Sequence, residues 1–118
     1  MSFSAVPEID VHELARKLQS GESFVLLDVR EAWELDHAMI VDSRLKVVPM
    51  SRMAQLGVEA LPEEVQEKDT EILALCHHGV RSAQATQWLQ AQGWTNVFSV
   101  RGGIADYAAQ VDASVGKY

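Results

Sequence analysis

The sequence predicts an α/β domain in which a mostly parallel central sheet carries helices on both faces. Short apolar segments alternate along the chain with segments that favour helix, and two of them, residues 24–29 and 71–75, are almost continuously hydrophobic. Strands of this kind are buried on both sides, which requires helices above and below the sheet. The 118 residues, of which 47% are hydrophobic and 23% charged, suffice for one domain. We expect this domain to span residues 1–118, with a core over about 7–111.

The first half of the chain is expected to contain three strands and three helices. The strands lie at Ile9, 24–29 and 45–48, and the helices at 11–20, 31–36 and 51–56. Asp10 is a favourable N-cap for the first helix, with Glu13 at the capping-box position. Ser51 is expected to cap the third.

The second half is expected to contain two strands and three helices. The strands lie at 71–75 and 96–100, and the helices at 62–68, 82–92 and 104–111. Pro62 suits the first turn of a helix. Ala85, Trp88 and Leu89 follow the helical spacing of an apolar face, which supports the helix over 82–92.

The cysteine Cys76 occurs once in the chain and directly follows the predicted strand 71–75. It opens the segment Cys-His-His-Gly-Val-Arg-Ser, which leads into the predicted helix that starts at Ser82. In parallel sheets, ligands bind beyond the carboxyl ends of the strands. We expect the backbone N–H groups of residues 77–82 to surround the sulfur and, with the helix dipole, to favour the thiolate. Gly79 provides the backbone freedom for this turn.

The loops that follow two other predicted strands are expected to lie beside the Cys76 loop. Asp28 and Arg30 lie at the end of the second strand, and Arg101 and Gly102 follow the last. We expect Asp28 and Arg30 to form a buried or half-buried pair that supports the loop, and Arg101 and Gly102 to support it as well. No metal site is expected.

The size of the loop indicates what it can hold. Arg81 comes five residues after Cys76, whereas cysteine phosphatases place the arginine one residue later, where this chain has Ser82. The smaller ring suits one additional sulfur atom better than a tetrahedral phosphate. For Arg81 itself, contact with a sulfonate oxygen of a donor is favoured over pairing with a nearby carboxylate, because the guanidinium fork suits oxyanions.

His77 and His78 allow two interpretations. Together with Cys76 they suggest a metal site, but zinc ligand pairs are usually separated by two to four residues, so we do not expect one. One imidazole instead contacts the donor, or both face solvent, and these two possibilities remain open. The side chains of His77, His78 and Val80 are expected to shape the donor site.

The chain resembles the rhodanese family, most closely its single-domain thiosulfate sulfurtransferases. The resemblance rests on the Cys76–Ser82 loop, on Leu-Asp-Val-Arg-Glu at 27–31 with Trp33, Glu34 and His37 after it, and on Arg-Gly-Gly at 101–103. It implies a rhodanese fold, a catalytic Cys76, donor binding by residues 77–82 and no cofactor. It also implies a cycle in which Cys76 takes a sulfur from a donor such as thiosulfate and passes this sulfur from the persulfide to cyanide or a cellular thiol.

Two alternatives to this enzyme remain. The same loop would serve a non-catalytic sulfur carrier or interaction domain, and an arsenate reductase or phosphatase of the same fold is disfavoured by the six-residue loop. Because the chain has no second cysteine, the acceptor of the sulfur must come from outside.

Charge and composition limit the partners and the compartment. The formal net charge of −7 argues against nucleic acid as a partner, although Arg81, Arg101, His77 and His78 are candidates for a local positive mouth that attracts a small anion. No apolar stretch approaches the roughly 20 residues that cross a bilayer. The first seven residues do not look like a secretory signal, and a single cysteine fits a reducing compartment, so we expect a cytoplasmic protein.

Overall fold

The computed structural model describes residues 6–118, so residues 1–5 of the expected domain lie outside the described residues. Strands and helices alternate along this part of the chain. The strands are β1 (Glu8–Ile9), β2 (Val25–Asp28), β3 (Leu45–Val47), β4 (Ile72–Leu75) and β5 (Val97–Val100). The helices are α1 (Val11–Gln19), α2 (Ala32–Leu35), α3 (Met50–Leu56), α4 (Val80–Ala91) and α5 (Gly103–Gln110). Short 3₁₀ helices cover Gly57–Ala60, Glu63–Val65 and Ala113–Val115.

The five strands form one sheet in the order β1-β5-β4-β2-β3, and all neighbouring pairs are parallel. This confirms the predicted parallel sheet. Strand β4 lies in the middle, with Asp28 opposite Leu75 on one side and Ile72 opposite Val97 on the other. The carboxyl ends of β2, β4 and β5 therefore meet at one edge of the sheet, directly below the loop that Cys76 opens.

Helices cover both faces of the sheet, as predicted. One apolar cluster joins alternate strand residues such as Leu27 and Ile72 to Met53 of α3 and Leu89 of α4. A second cluster joins the intervening strand residues to α1 and α5 on the opposite face. Within residues 6–118 no helix is long and apolar enough to cross a membrane.

The predicted helix over 62–68 is wrong. The structure has only the 3₁₀ turn Glu63–Val65, with Pro62 before it. The carbonyls that would continue a helix are engaged from elsewhere: Trp94 Nε1 donates to the Val65 carbonyl at 2.8 Å, and the Thr95 amide donates to the Lys68 carbonyl at 2.9 Å. These tertiary hydrogen bonds outweigh the local preference of the segment.

Three helices begin earlier than expected, α5 by only one residue, at Gly103. Helix α3 begins at Met50 after Pro49, and Ser51 does not cap it but donates from Oγ to Glu31 Oε1 at 2.8 Å. Helix α4 begins at Val80 and not at Ser82, because Gly79, with φ +99°, turns the chain into the helix two residues sooner. Arg81 and Ser82 are consequently residues of the first helical turn.

Candidate active site

The sulfur of Cys76 lies at the carboxyl end of the central strand, beneath the loop that leads into α4. The residue is 1% exposed and packs in the apolar cluster between the sheet and α4. Its Sγ nevertheless accepts hydrogen bonds from the backbone N–H of Gly79 at 3.0 Å and of Ser82 at 3.3 Å. The sulfur is thus buried, but the amides that surround it are polar donors suited to a thiolate.

The remaining amides of the loop are available for a second acceptor. No acceptor within residues 6–118 is found for four of them, those of His77, His78, Val80 and Arg81. Two of these four belong to the first turn of the twelve-residue helix α4, whose dipole places partial positive charge at this end. The expected ring of six amides therefore consists of two that contact the sulfur and four for which residues 6–118 supply no acceptor.

The start of helix α5 fixes the other side of the loop. The amide of Ile104 donates to the Cys76 carbonyl at 2.9 Å, and the amide of Ala105 donates to the His77 carbonyl at 3.0 Å. A β-carbon on Gly103, where φ is +63°, would lie 2.5 Å from both of these carbonyl oxygens. The close approach therefore requires glycine at this position. Gly102 precedes it with φ +80° and connects β5 to α5.

Buried hydroxyls lie beside the sulfur. Ser82 Oγ is 3.4 Å from Cys76 Sγ and 2.8 Å from Ser99 Oγ, and Thr86 Oγ1 donates to the Ser82 carbonyl. Ser82, Thr86 and Ser99 are all buried, and no buried side-chain nitrogen or oxygen among the described residues lacks a hydrogen-bond partner. The side chain of Ser82 is therefore held in one position next to the sulfur.

The guanidinium of Arg81 is paired with a carboxylate. Its two terminal nitrogens contact Glu34, at 2.6 Å from Nη1 to Oε2 and 2.8 Å from Nη2 to Oε1. The Glu34 side chain is only 4% exposed, and the Arg81 guanidinium lowers the pKa of its carboxyl to about 2. Of the two roles considered for Arg81, the structure has carboxylate pairing; its contact with a donor stays a prediction.

Asp28 and Arg30 form a second ion pair beneath the loop. Arg30 Nη2 lies 2.7 Å from Asp28 Oδ2, and both side chains are almost fully buried. Tyr118 joins the two ion pairs, because its hydroxyl donates to Glu34 Oε1 at 2.8 Å and accepts from Arg30 Nη1 at 3.2 Å. The four charged side chains therefore form one network that ties β2 and α2 to the first turn of α4.

Comparison with known proteins agrees with this geometry. The family described as "Rhodanese-like domain" matches residues 10–110. The chain belongs to the rhodanese family. It is 35% identical over 116 residues to the chloroplast rhodanese-like/PpiC domain-containing protein 12 of Arabidopsis thaliana, covering 96% of this chain and 38% of that protein. It is also 33% identical over 105 residues to a sulfurtransferase of Allochromatium vinosum, covering 87% of this chain and 89% of that one.

A solved structure shows the same fold. The crystal structure of a single-domain sulfurtransferase from Saccharomyces cerevisiae matches with a TM-score of 0.74 and 23% identity, over 99% of this chain and 100% of that chain. The rhodanese resemblance seen in the sequence is therefore confirmed, and so is the rhodanese-like α/β fold. The protein belongs to a family whose members include sulfurtransferases and a putative sulfur carrier protein.

The two histidines of the rhodanese loop stack on each other. Their ring centroids are 3.9 Å apart, and the ring of Tyr118 stacks on the other side of His77 at 3.7 Å. The Nε2 of His77 also lies 3.0 Å from the Tyr118 carbonyl. Burial lowers the pKa of His77 below its ordinary 6.5, so this imidazole is neutral at pH 7. His78 is exposed.

The remaining predicted residues of the rhodanese site lie further from the sulfur or at the rim. Arg101 is exposed and its guanidinium lies 4.0 Å from Glu8 and 3.9 Å from Asp10, at the edge formed by β1. Val80 is 66% exposed at the start of α4. The structure thus brings Cys76, the loop and Gly102 together, while the side chain of Arg101 turns towards the acidic edge.

Three residues of the rhodanese site were missed as functional residues by the sequence analysis. Glu34 carried a signal, because Glu31 and Glu34 show the spacing of a capping box, which the structure forms. Ser99 is a polar residue inside an otherwise apolar strand, which is a weaker signal. Tyr118 lies beyond the predicted core and offered none.

Proposed function

We propose that the protein is a sulfurtransferase that moves a sulfane sulfur from a donor such as thiosulfate to a thiophilic acceptor, through a persulfide on Cys76. The observation that carries this proposal is the position of Sγ against two backbone N–H groups, in a loop with four more amides that have no acceptor within residues 6–118. Such amides stabilise anionic sulfur without a metal or an organic cofactor.

In the first step, the thiolate of Cys76 attacks the outer sulfur of the donor. The new S–S bond forms as the donor's own S–S bond breaks, and for thiosulfate the departing group is sulfite. The negative charge moves from Sγ to the outer sulfur of the persulfide, and the unpaired loop amides then serve as its donors. The ring of residues 77–82 is one residue shorter than the loop of cysteine phosphatases, so it suits one extra sulfur atom better than a phosphate.

In the second step, an acceptor removes the outer sulfur and restores the thiolate. Cyanide would leave as thiocyanate, and a cellular thiol would leave as a persulfide. Cys76 is the only cysteine of the chain, so it has no internal partner for disulfide formation and the acceptor is a separate molecule. A single cysteine fits a reducing compartment, and a cytoplasmic location is therefore part of this proposal.

Intact-protein mass spectrometry tests the first step. After treatment with thiosulfate and removal of excess reagent, we expect a gain of one sulfur atom, about 32 Da, that is absent in Cys76→Ser. Addition of cyanide should remove this mass and release an equal amount of thiocyanate. A Cys76→Ser protein that still releases thiocyanate at the full rate would contradict the mechanism.

Steady-state turnover separates the enzyme from its alternatives. Repeated turnover with thiosulfate and cyanide supports a sulfurtransferase, whereas a single stoichiometric transfer indicates a carrier that stores sulfur. Hydrolysis of an aryl phosphate or reduction of arsenate, without any uptake of sulfur, would replace the proposal with a phosphatase or arsenate reductase.

A further inference from the structure

The segment that follows α5 runs back beside the loop that holds the sulfur. The Met39 amide donates to the Val115 carbonyl at 2.8 Å, and Gly116 pairs with Ala38 in an antiparallel bridge. These backbone contacts anchor the segment to the chain that follows α2. They bring Tyr118, two residues further on, to the loop, where it is partly buried.

Tyr118 holds the start of the loop through His77. The two rings are nearly parallel, with an interplanar angle of 7° and centroids 3.7 Å apart, and the His77 Nε2 lies 3.0 Å from the Tyr118 carbonyl. Because a carbonyl only accepts hydrogen bonds, the neutral imidazole carries its proton on Nε2. The backbone and the ring of Tyr118 therefore both fix the first residue after Cys76.

The same tyrosine holds the end of the loop through Glu34. Its hydroxyl donates to Glu34 Oε1 at 2.8 Å, and this carboxylate accepts from both terminal nitrogens of the Arg81 guanidinium. Burial raises the pKa of Tyr118 above its ordinary 10, so the hydroxyl keeps its proton and remains a donor at pH 7. The side chain of Tyr118 thus connects His77, at one end of the loop, to Arg81 at the other.

This connection joins two residues whose amides are free to bind a further atom. The amides of His77 and Arg81 are two of the four for which residues 6–118 supply no acceptor. Donors that are already oriented towards a developing charge stabilise it without the cost of ordering them during the reaction. A link that fixes the distance between His77 and Arg81 therefore suits donors that must converge on one atom.

We propose that Tyr118 is a positioning residue for sulfur transfer, which sets the separation of His77 and Arg81 so that their amides converge on the outer sulfur. The inference rests on the proposed function, because it concerns the persulfide of the same Cys76 reaction. The Tyr118 hydroxyl is engaged by two charged side chains of the network. It therefore acts through the loop and exchanges no proton with the sulfur.

Single-turnover uptake of sulfur from thiosulfate, followed by intact-protein mass spectrometry, tests this role. Tyr118→Phe keeps the ring on His77 but loses the link to Glu34. We expect its rate constant at saturating thiosulfate to fall by about tenfold, less than the roughly hundredfold cost of deleting an oriented donor outright. The half-saturating concentration of thiosulfate should change by less than about twofold, because these amides act on the charge that forms during transfer. Tyr118→Ala also loses the stacked ring and should be slower still.

Tyr107→Phe is the matched control. It also removes one phenolic hydroxyl, from a tyrosine of α5 that lines a different groove together with Asp42 and Asp112. Urea denaturation of each variant measures how much Tyr118 contributes to the free energy of unfolding. A lower free energy of unfolding in Tyr118→Phe, with an uptake rate constant equal to that of Tyr107→Phe, would make Tyr118 a purely structural residue and overturn the inference.

Amide NMR spectra give a second readout, which does not depend on the rate. Formation of the persulfide should shift the amide protons of His77 and Arg81 in the wild-type protein and in Tyr107→Phe, and shift them less in Tyr118→Phe. A Tyr118→Phe protein whose two amides shift as in the wild type would overturn the inference and leave the proposed function intact. If the wild-type protein takes up no sulfur, the proposed function itself fails.

Discussion

The glycine at the start of α5 offers a sharp test of how the Cys76 loop is held. Gly103→Ala introduces a β-carbon 2.5 Å from the carbonyl oxygens of Cys76 and His77, and places a non-glycine residue at φ +63°. The left-handed conformation costs about 1–2 kcal/mol for such a residue. Relief of the contact requires the backbone of the loop or of α5 to move, for which overpacking costs of roughly 1–3 kcal/mol are typical.

Gly93→Ala is the matched control for this variant. Gly93 also has a positive φ, +108°, but a β-carbon there would meet only the flexible side chain of Lys68, at 3.3 Å. Both variants place alanine at a positive φ and share the effect on the unfolded chain, and the φ of +108° at Gly93 is at least as unfavourable for alanine as the +63° at Gly103. We therefore expect Gly103→Ala to lose about 1–3 kcal/mol more free energy of unfolding than Gly93→Ala, measured by urea denaturation.

The same pair of variants reports on the site. Displacement of the Cys76 carbonyl alters the hydrogen bonds between α5 and the loop, so Gly103→Ala should take up sulfur from thiosulfate more slowly than Gly93→Ala. If the two variants have free energies of unfolding within about 0.5 kcal/mol of each other and equal uptake rates, α5 does not hold the loop in the way the structure indicates.

Three further outcomes are expected. Because Arg81 holds the pKa of Glu34 at about 2, below its ordinary 4.5, the ionised carboxylate stabilises the fold above pH 4.5 and this contribution is lost as the pH falls towards 2. Urea denaturation at about pH 6 and pH 2 measures how much free energy of unfolding each protein loses between the two pH values. The wild-type protein should lose up to about 3 kcal/mol more than Glu34→Gln, and equal losses would contradict the pairing of Glu34 with Arg81. Ser82→Ala leaves Ser99 Oγ without its partner and removes the hydroxyl beside Sγ, so it should lower the free energy of unfolding by about 1–3 kcal/mol and slow sulfur uptake. Thr86→Val, one turn further along α4, should slow sulfur uptake less than Ser82→Ala does. If the two variants slow uptake equally, the cause is a general disturbance of α4 and not the loss of the hydroxyl beside Sγ. An NMR titration of His77 should give a midpoint below 6.5, and a midpoint at or above 6.5 would show that the ring is not buried against Tyr118.

The strands and the position of the Cys76 loop were predictable because they depend on local sequence. Apolar segments such as 71–75 and 96–100 locate each strand to within about a residue of its observed bounds. Once the strands are parallel, their carboxyl ends must share an edge, which places Cys76 near Arg30 and Gly102. The early start of α4 was missed because Val80 is a weak helix former, although Arg81 is a good one, and because the local sequence does not show that Gly79 turns the chain directly into the helix.

The pairing of Arg81 was not predictable in the same way. Its partner Glu34 is 47 residues away, and nothing in either local sequence specifies the distance between them. The predicted helix over 62–68 was wrong for a similar reason, because Trp94 Nε1, from a distant part of the chain, donates a hydrogen bond to the Val65 carbonyl. The same limit applies to Tyr118, which meets Glu34 and His77 only through the path of the chain after α5. These are tertiary contacts, which residue type and spacing alone do not encode.

We infer that backbone amides of the Cys76 loop hold anionic sulfur and leave room for one more sulfur atom. A crystal structure of the protein after treatment with a sulfur donor measures this directly. We expect an outer sulfur on Cys76 that lies inside the ring of residues 77–82, within hydrogen-bond distance of several of the four amides for which residues 6–118 supply no acceptor. An outer sulfur that points away from these amides, or a Cys76 that stays unmodified while the donor is consumed, would contradict it.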